Sequence, residues 1–192
     1  MLNAGADFYF PDKTNLANDG EGYNYGIELT LERFLDKGLY YLVTVSIFES
    51  KYKGSDDIWR NTVFNSNYVM NFLGGKEFQL NKKSSVGIDT KIALNGGQRY
   101  TPFDLPASAV AGYVVFRENE AYSLQNNVYL RWDFKLSYNR NGEKATQKWY
   151  VDLQNVTNRD NIYIRTLTPK TGKIGVINQI GFFPNINYVI TF

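Results

Sequence analysis

The 192-residue sequence contains no cysteine and no histidine. Without cysteine there are no disulfide bonds, thiolate metal sites or cysteine nucleophiles. Without histidine there is no Ser-His-Asp triad and no histidine-ligated zinc or iron. The 21 Lys and Arg nearly balance the 19 Asp and Glu, so no large field of one sign attracts nucleic acid. We expect a protein that is not an enzyme, uses no cofactor or metal, and has no nucleic-acid partner.

Long apolar runs are also absent. The N-terminal stretch Met1–Asp7 has neither the basic start nor the apolar stretch of a signal peptide. The most apolar run, Leu39–Phe48, contains Thr44 and Ser46 and is far shorter than the roughly 18–20 residues of a membrane helix. These absences exclude a helical membrane protein. A membrane β-barrel is still possible, because its strands need only about 9–11 residues of alternating polarity.

Aromatic residues are plentiful, with 15 Tyr, 13 Phe and 3 Trp, whereas proline occurs only five times. This composition favours strands and turns, and alternation of polarity supports it. The clearest alternation lies in Val128–Tyr138. One side carries Val128, Leu130, Trp132, Phe134, Leu136 and Tyr138, and the other carries Tyr129, Arg131, Asp133, Lys135 and Ser137. The same period of two recurs in Tyr25–Leu31, Tyr41–Ile47, Tyr68–Phe72, Val86–Leu94, Trp149–Leu153 and Ile186–Phe192. Period two is typical of strands.

The connections between these segments alternate between short and long. The short ones are 35–38, 79–83 and 139–145, and the long ones are 53–61, 95–126 and 157–182. In an antiparallel meander every second connection lies on the same rim, so one rim should carry tight turns and the other long loops. Within the last long connection, Tyr163–Leu167 and Ile174–Ile177 are expected to pair as a hairpin.

The two faces of such a sheet have different chemistry. Polar residues that we expect to face an aqueous lumen are Glu28, Glu32, Asp89, Lys91, Arg131, Asp133, Lys135 and Asp152. Residues that we expect to face lipid are Val128, Leu130, Trp132, Phe134 and Leu136. Aromatic residues near the strand ends suit the two interfacial girdles of an outer-membrane barrel, and the unequal rims suit its short turns and long extracellular loops. A soluble antiparallel sheet with one solvated face is the plainer alternative.

Several strings resemble a known family. They are Asn24–Phe34, Ser50–Asp56, Arg60–Thr62, Gly75–Phe78, Arg99–Pro102 and Asp152–Arg159. Together they are similar to the late strands of TonB-dependent outer-membrane receptors from Bacteroidetes-type bacteria, and the likeness runs from about Leu2 to Phe192. Tyr188, Ile190 and Phe192 resemble the C-terminal signal through which the barrel-assembly machinery recognises its clients.

The resemblance implies a 22-stranded barrel closed by a plug domain, which imports siderophores, cobalamin or glycans across the outer membrane. Relative to that plan the chain lacks a signal peptide, a TonB-contact motif, the plug and most of the barrel. We therefore expect residues 1–192 to be a single partial domain: an all-β antiparallel meander of about 7–8 transmembrane strands plus an extracellular hairpin. Its implied partners are the lipid bilayer, the barrel-assembly machinery and, only through the missing plug, TonB. The ligand cannot be read from these strings.

Three other interpretations remain open at this level. A small self-standing outer-membrane barrel acting as an anchor or adhesin would need an eighth strand, for which Leu2–Phe10 is the candidate. A secreted β-sandwich would bind glycans through Tyr and Trp. An outer-membrane hydrolase is disfavoured because histidine is absent.

Few side-chain groupings suggest chemistry. Glu28 and Glu32 share a face and are interpreted as lumen polarity rather than as a paired-carboxylate site, because no catalytic partner accompanies them. Arg131, Asp133 and Lys135 would either bind an anionic ligand or, as we favour, join Asp89, Lys91 and Asp152 in a cross-strand charge network. Asp56 and Asp57, with Ser55, would either hold Ca²⁺ or, more commonly, form a solvated turn.

Overall fold

The computed structural model describes residues 19–54 and 56–192. Within these ranges the chain forms twelve strands and two short helices. In chain order they are β1 (Glu21–Asp36), β2 (Leu39–Lys53), β3 (Trp59–Asn61), β4 (Tyr68–Asn81), β5 (Ser84–Asn95), β6 (Arg99–Tyr100), α1 (Leu105–Ala111), a 3₁₀ turn (Glu118–Glu120), β7 (Leu124–Gln125), β8 (Tyr129–Asn141), β9 (Thr146–Gln154), β10 (Ile162–Thr168), β11 (Lys173–Asn178) and β12 (Phe183–Thr191).

Seven long strands form one antiparallel sheet in the order β1-β2-β4-β5-β8-β9-β12, and the short β3 pairs with the outer end of β2. Spatial order follows chain order, which confirms the predicted all-β antiparallel meander. Among the described residues β1 and β12 each have one neighbouring strand. The candidate eighth strand, Leu2–Phe10, lies outside the described residues.

The strands run further than the alternation predicts. The pattern in β2 ends at Ile47, yet the strand continues through a polar segment to Lys53, because that segment pairs with the start of β1, where Glu21 lies opposite Lys53. In the same way β4 continues through Gly74 and Gly75 to Asn81 by pairing with β5. Backbone pairing with a neighbour, rather than side-chain polarity, sets these strand ends.

The two rims of the sheet differ as predicted. Three tight turns lie on one rim: residues 37–38, 82–83 and 142–145. The first has positive φ at both Lys37 (49°) and Gly38 (76°), the geometry of a two-residue type I′ hairpin. The opposite rim carries three long loops, here named L1 (between β2 and β4), L2 (between β5 and β8) and L3 (between β9 and β12).

The long loops contain structure of their own. In L3, β10 and β11 pair antiparallel, which confirms the predicted hairpin. In L2, α1 is an element that the alternation does not predict. Its signal is local: Asp104 caps the helix by accepting a hydrogen bond from the Ala107 N–H at 3.0 Å, and Pro106 lies in the first turn, where a missing N–H costs nothing.

Apolar side chains are scarcely buried in this arrangement. Among the described residues only Ala121 and Leu167 are buried hydrophobic residues, whereas Ile27 is 81% exposed. The most completely buried side chains are polar: Asn65, Ser108 and Asn155. No helix in the described part of the chain is both long enough and apolar enough to cross a membrane.

Candidate functional site

The strand register divides the side chains of the sheet into two continuous sets. The apolar face is the set on the side of Leu29 (β1), Val45 (β2), Phe72 (β4), Ile92 (β5), Trp132 and Phe134 (β8), Val151 (β9) and Ile186 (β12). The polar face is the set on the side of Glu28 and Glu32 (β1), Thr44 (β2), Asn71 (β4), Asp89 and Lys91 (β5), Arg131, Asp133 and Lys135 (β8), and Asp152 (β9). The eight polar candidates from the sequence share one face. Leu130, Trp132, Phe134 and Leu136 share the other, and Val128 lies just before β8.

Charges on the polar face alternate in sign across neighbouring strands. Lys135 lies opposite Asp89 on one side and Asp152 on the other, and Lys91 lies opposite Asp133. Arg131 makes the close pair of the group, donating from Nε to Asp133 at 2.8 Å and 3.0 Å. The register thus places opposite charges across from one another, as the favoured cross-strand network predicts. The ion pair of the group, Arg131 with Asp133, lies within β8.

Tyr40 joins this network through its hydroxyl group, and a glycine on the neighbouring strand makes room for its ring. The Tyr40 hydroxyl donates to Asp89 Oδ1 at 2.6 Å, and its ring lies over Gly75. A Cβ at Gly75 would stand 2.6 Å from the Tyr40 ring and would also collide with Asp89. Gly75 therefore leaves room for the Tyr40 ring. The register passes through Gly74 and Gly75 without interruption, so there is no bulge at this pair.

Glu28 and Glu32 stay apart. A strand rises about 3.3 Å per residue, which places two residues four positions apart roughly 13 Å from each other. Paired catalytic carboxylates need about 5–9.5 Å. Ser46 on the neighbouring strand donates its hydroxyl to Glu28 at 3.3 Å, and both glutamates are exposed. They add polarity to the face.

The apolar face carries an aromatic row near the rim with tight turns. Tyr138, Trp149 and Tyr188 lie side by side on β8, β9 and β12. Their ring centroids are 5.7 Å and 5.2 Å apart. Further along β12 the same face carries Ile190, and Phe192, just beyond the strand, is 93% exposed. The aromatic row thus crosses three neighbouring strands.

At the opposite rim, arginines join the three loops. Arg60 in L1 is buried and donates to both carboxylate oxygens of Asp56, at 2.9 Å and 2.6 Å, and to the Asn119 carbonyl of L2 at 3.2 Å. These hydrogen bonds lower the pKa of Asp56 below its usual value. Asp57 pairs with Lys53 at 3.3 Å. Both carboxylates are thus bound to cations of the chain. Ser55, the third residue of the suggested Ca²⁺ site, lies outside the described residues.

Three further arginines connect L2 to its neighbours. Arg99 of L2 donates to the Asn65 carbonyl of L1 at 2.8 Å. Arg165 of L3 donates to Asn126 of L2 at 2.7 Å and stacks its guanidinium 4.7 Å from the Tyr100 ring centroid. The last is Arg159 of L3, which donates to the carbonyl of Val128 at 3.0 Å. Every long loop is therefore tied to another.

Buried asparagines fix the loop backbones from within. Asn65 accepts from the Ser50 N–H at 3.1 Å, and Asn161 accepts from the Leu130 N–H at 3.1 Å while donating to the Leu130 carbonyl at 2.8 Å. Asn155 donates to the carbonyls of Arg159 and Ile180 at 3.0 Å and 3.3 Å. Sequence reasoning missed these residues. The available signal was the high asparagine content outside the strands, which identifies loops but not which amide is buried.

Two recesses lie where the loops meet the upper part of the polar face. The first, about 440 Å³, is lined by residues of L1, L2, L3, β5 and β8. The second, about 500 Å³, contains Arg131, Gln154, Asn155 and Asn161. Gln179 borders both, and the two recesses together are named the amide-rich cleft. Within the described ranges no three acidic side chains gather as metal ligands would.

Comparisons of the chain with protein-family models, curated proteins and solved structures found no match.

Proposed function

We propose that this chain is part of the wall of a TonB-dependent transporter of the outer membrane, in a barrel of 22 strands that takes up a siderophore, cobalamin or a glycan. The seven long strands supply wall, the polar face lines the aqueous lumen, and the apolar face contacts lipid. The three long loops are extracellular and meet the incoming ligand. In this function the chain breaks no bond, and TonB acts on a plug rather than on these strands.

The observation that carries this proposal is the separation of the two faces over seven consecutive strands. An apolar face that runs through the whole sheet and lies exposed needs an apolar solvent or a covering layer. Within the described residues no second sheet covers it. A secreted β-sandwich, the alternative that binds glycans, needs such a second sheet.

The dimensions of the apolar face agree with a bilayer. From Leu130 to Tyr138, the strand rises roughly 27 Å. With the strand tilt of about 40° found in membrane barrels, this is roughly 21 Å along the membrane normal, close to the apolar band of about 25 Å. The row of Tyr138, Trp149 and Tyr188 lies at one end of that band, where an interfacial girdle belongs.

Residues at the C-terminal end of the chain support the proposal that the barrel-assembly machinery is a partner. Tyr188 and Ile190 share the apolar face, and Phe192 continues their spacing. We propose that this row is read by the barrel-assembly machinery. Deletion of Phe192 should lower the amount of folded protein in the outer membrane without weakening the ligand affinity of the protein that does fold. Normal amounts after deletion would mean that the row only packs against lipid.

Single-cysteine labelling tests the proposed faces cleanly, because the chain has no native cysteine. The chain is reconstituted in liposomes with cysteine at position 136 or at position 135. A fluorophore at position 136 should be quenched by lipid-attached quenchers, and one at position 135 by aqueous iodide. A monodisperse, detergent-free monomer with a cooperative thermal transition would instead overturn the membrane proposal.

A further inference from the structure

The smaller recess of the cleft has the chemistry of a ligand subsite. Its 440 Å³ lies within the roughly 300–1,000 Å³ typical of small-molecule pockets. Its polar lining consists of one hydroxyl and five amide side chains: Ser66, Asn95, Gln98, Asn126, Asn127 and Gln179. Tyr129 and Phe64 add aromatic surface.

One buried polar atom in this recess has no partner. Among the described residues Asn95 Oδ1 accepts no hydrogen bond although it is shielded from solvent. Such an atom leaves a desolvation cost uncompensated within the described residues. Asn127 and Gln179 also make no side-chain hydrogen bond within the described part of the chain, so their amides are available to a ligand.

The recess carries no formal charge. None of its lining residues is acidic or basic, and the adjoining recess contains a single charged lining residue, Arg131, which Asp133 neutralises at 2.8 Å. A ligand carboxylate, phosphate or ammonium group would lose its hydration here without contacting a lining residue of opposite charge. Paired amide donors and acceptors beside aromatic rings suit a neutral ligand that bears several hydroxyl groups.

The walls of this recess are fixed before any ligand arrives. Asn126 is held by Arg165 at 2.7 Å. Gly96 and Gly97 bring the carbonyls of Ser66 and Asn126 so close that a Cβ at either glycine would collide with them. Binding therefore costs little ordering of the protein, which favours affinity.

We propose that this recess is a subsite for a neutral, polyhydroxylated ligand, of which a sugar ring is the simplest example, and that one ligand hydroxyl hydrogen-bonds with the side-chain amide of Asn95. The inference rests on the proposed function only in assuming that the polar face is open to an aqueous lumen. Gln179 and Asn127 contribute further hydrogen bonds, and Tyr129 packs against the apolar edge of the ring.

The test uses the full chain in lauryldimethylamine oxide, a detergent without a sugar headgroup. An array presents neutral oligosaccharides, acidic oligosaccharides, a ferric siderophore and cobalamin. We expect neutral oligosaccharides to bind in preference to the other three. The best neutral binder then serves as the probe for variants.

Asn95→Ala should weaken binding of that probe about tenfold, the value of one good hydrogen bond. Asn187→Ala is the matched control, because Asn187 also has a buried amide nitrogen without a partner among the described residues but lies on β12, outside the recess. The affinity of this variant for the probe should change by less than about twofold. Gln179→Ala, at an exposed loop position, should weaken binding even if Asn95→Ala unfolds the chain.

Three outcomes would overturn the subsite: no neutral oligosaccharide binds, an anionic ligand or cobalamin binds best, or Asn95→Ala and Gln179→Ala leave affinity unchanged. None of these would affect the quenching pattern at positions 135 and 136. A chain with lipid-exposed position 136 and no saccharide binding would retain the proposed function and lose only the subsite.

Discussion

The sheet and the loop rim of this protein are held together by opposite means. In the sheet, a backbone ladder joins each neighbouring pair of strands from β1 to β12, while Ile27, Phe72 and Ile186 remain exposed. In the loops the buried groups are polar, and Arg60, Asn65 and Asn155 bind backbone groups of neighbouring segments. The sheet thus has backbone order without an apolar core, and the loops have packing that depends on specific hydrogen bonds.

The stability of the sheet and the stability of the loops should therefore respond to different perturbations. Burial of apolar surface is the dominant stabilising term in most folded domains, and here the sheet can obtain it only from its surroundings. The loops instead depend on satisfied polar groups, where loss of one partner leaves another group buried and unpaired. Substitutions can separate these two sources of stability.

The largest effect is expected for a charge on the apolar face. Phe134→Arg lies near the middle of β8 and should lower the free energy of unfolding by about 2–4 kcal/mol in lipid vesicles. Lys135→Gln, its neighbour on the polar face, should change it by less than about 0.5 kcal/mol. Urea unfolding of both variants measures the difference. Equal effects at the two positions would mean that the faces do not contact different solvents.

The next largest effect is expected in L3. Asn155→Ala removes an amide that binds the carbonyls of Arg159 and Ile180, which should cost about 1–3 kcal/mol. Because Asn155 has a positive φ of 49°, part of that loss would come from backbone strain. Asn155→Gly removes the amide without adding strain, and it should retain most of the loss. Full stability in the glycine variant would show that the amide contributes nothing.

A smaller effect is expected where the sheet itself uses a specific contact. Gly75→Ala places a Cβ against the Tyr40 ring and should cost about 1 kcal/mol by overpacking, while breaking the Tyr40–Asp89 hydrogen bond. Tyr40→Ala should remove the part of this loss that comes from the ring, so that Gly75→Ala costs less in the Tyr40→Ala background than in the unmodified chain. An additive loss in the double variant would contradict the contact.

The smallest effect is expected from the pH dependence of L1. Arg60 lowers the pKa of Asp56 below its usual 3.8, so the stabilisation from this pair is fully present above pH 3.8 and is lost as the pH falls through the folded-state pKa. Hydrogen exchange of L1 amides should accelerate in that acidic range relative to L3 amides. Asp56→Asn should remove the acid-dependent step, and a step that persists in this variant would assign it to another group.

Much of the sheet was readable in the sequence because its signal is local. Alternation in Val128–Tyr138 identified the strand and both of its faces, since successive side chains of a strand point to opposite sides. The tight turns followed from the short connections, and the β10–β11 hairpin followed from the segments Tyr163–Leu167 and Ile174–Ile177. The strand ends were predicted less well, because Glu49–Lys53 and Gly74–Asn81 are strands only through their neighbours.

The loop contacts were not readable for a different reason. Arg60 and Asn119 are 59 residues apart, and Asn155 and Ile180 are 25 apart. A polar residue in a loop has the same local signature whether it is solvated or buried. Nothing in the pattern around Asn95 distinguished it from other asparagines, although its Oδ1 lacks a partner within the described residues.

The sequence by itself determined the strand content, the antiparallel order and the separation of polar from apolar side chains, because these depend on a period of two and on short connections. Only the tertiary structure decided which charges face one another, which arginines join the loops and where the amide-rich cleft lies. Those contacts join residues that are distant along the chain, and they exist only once the strand register is fixed.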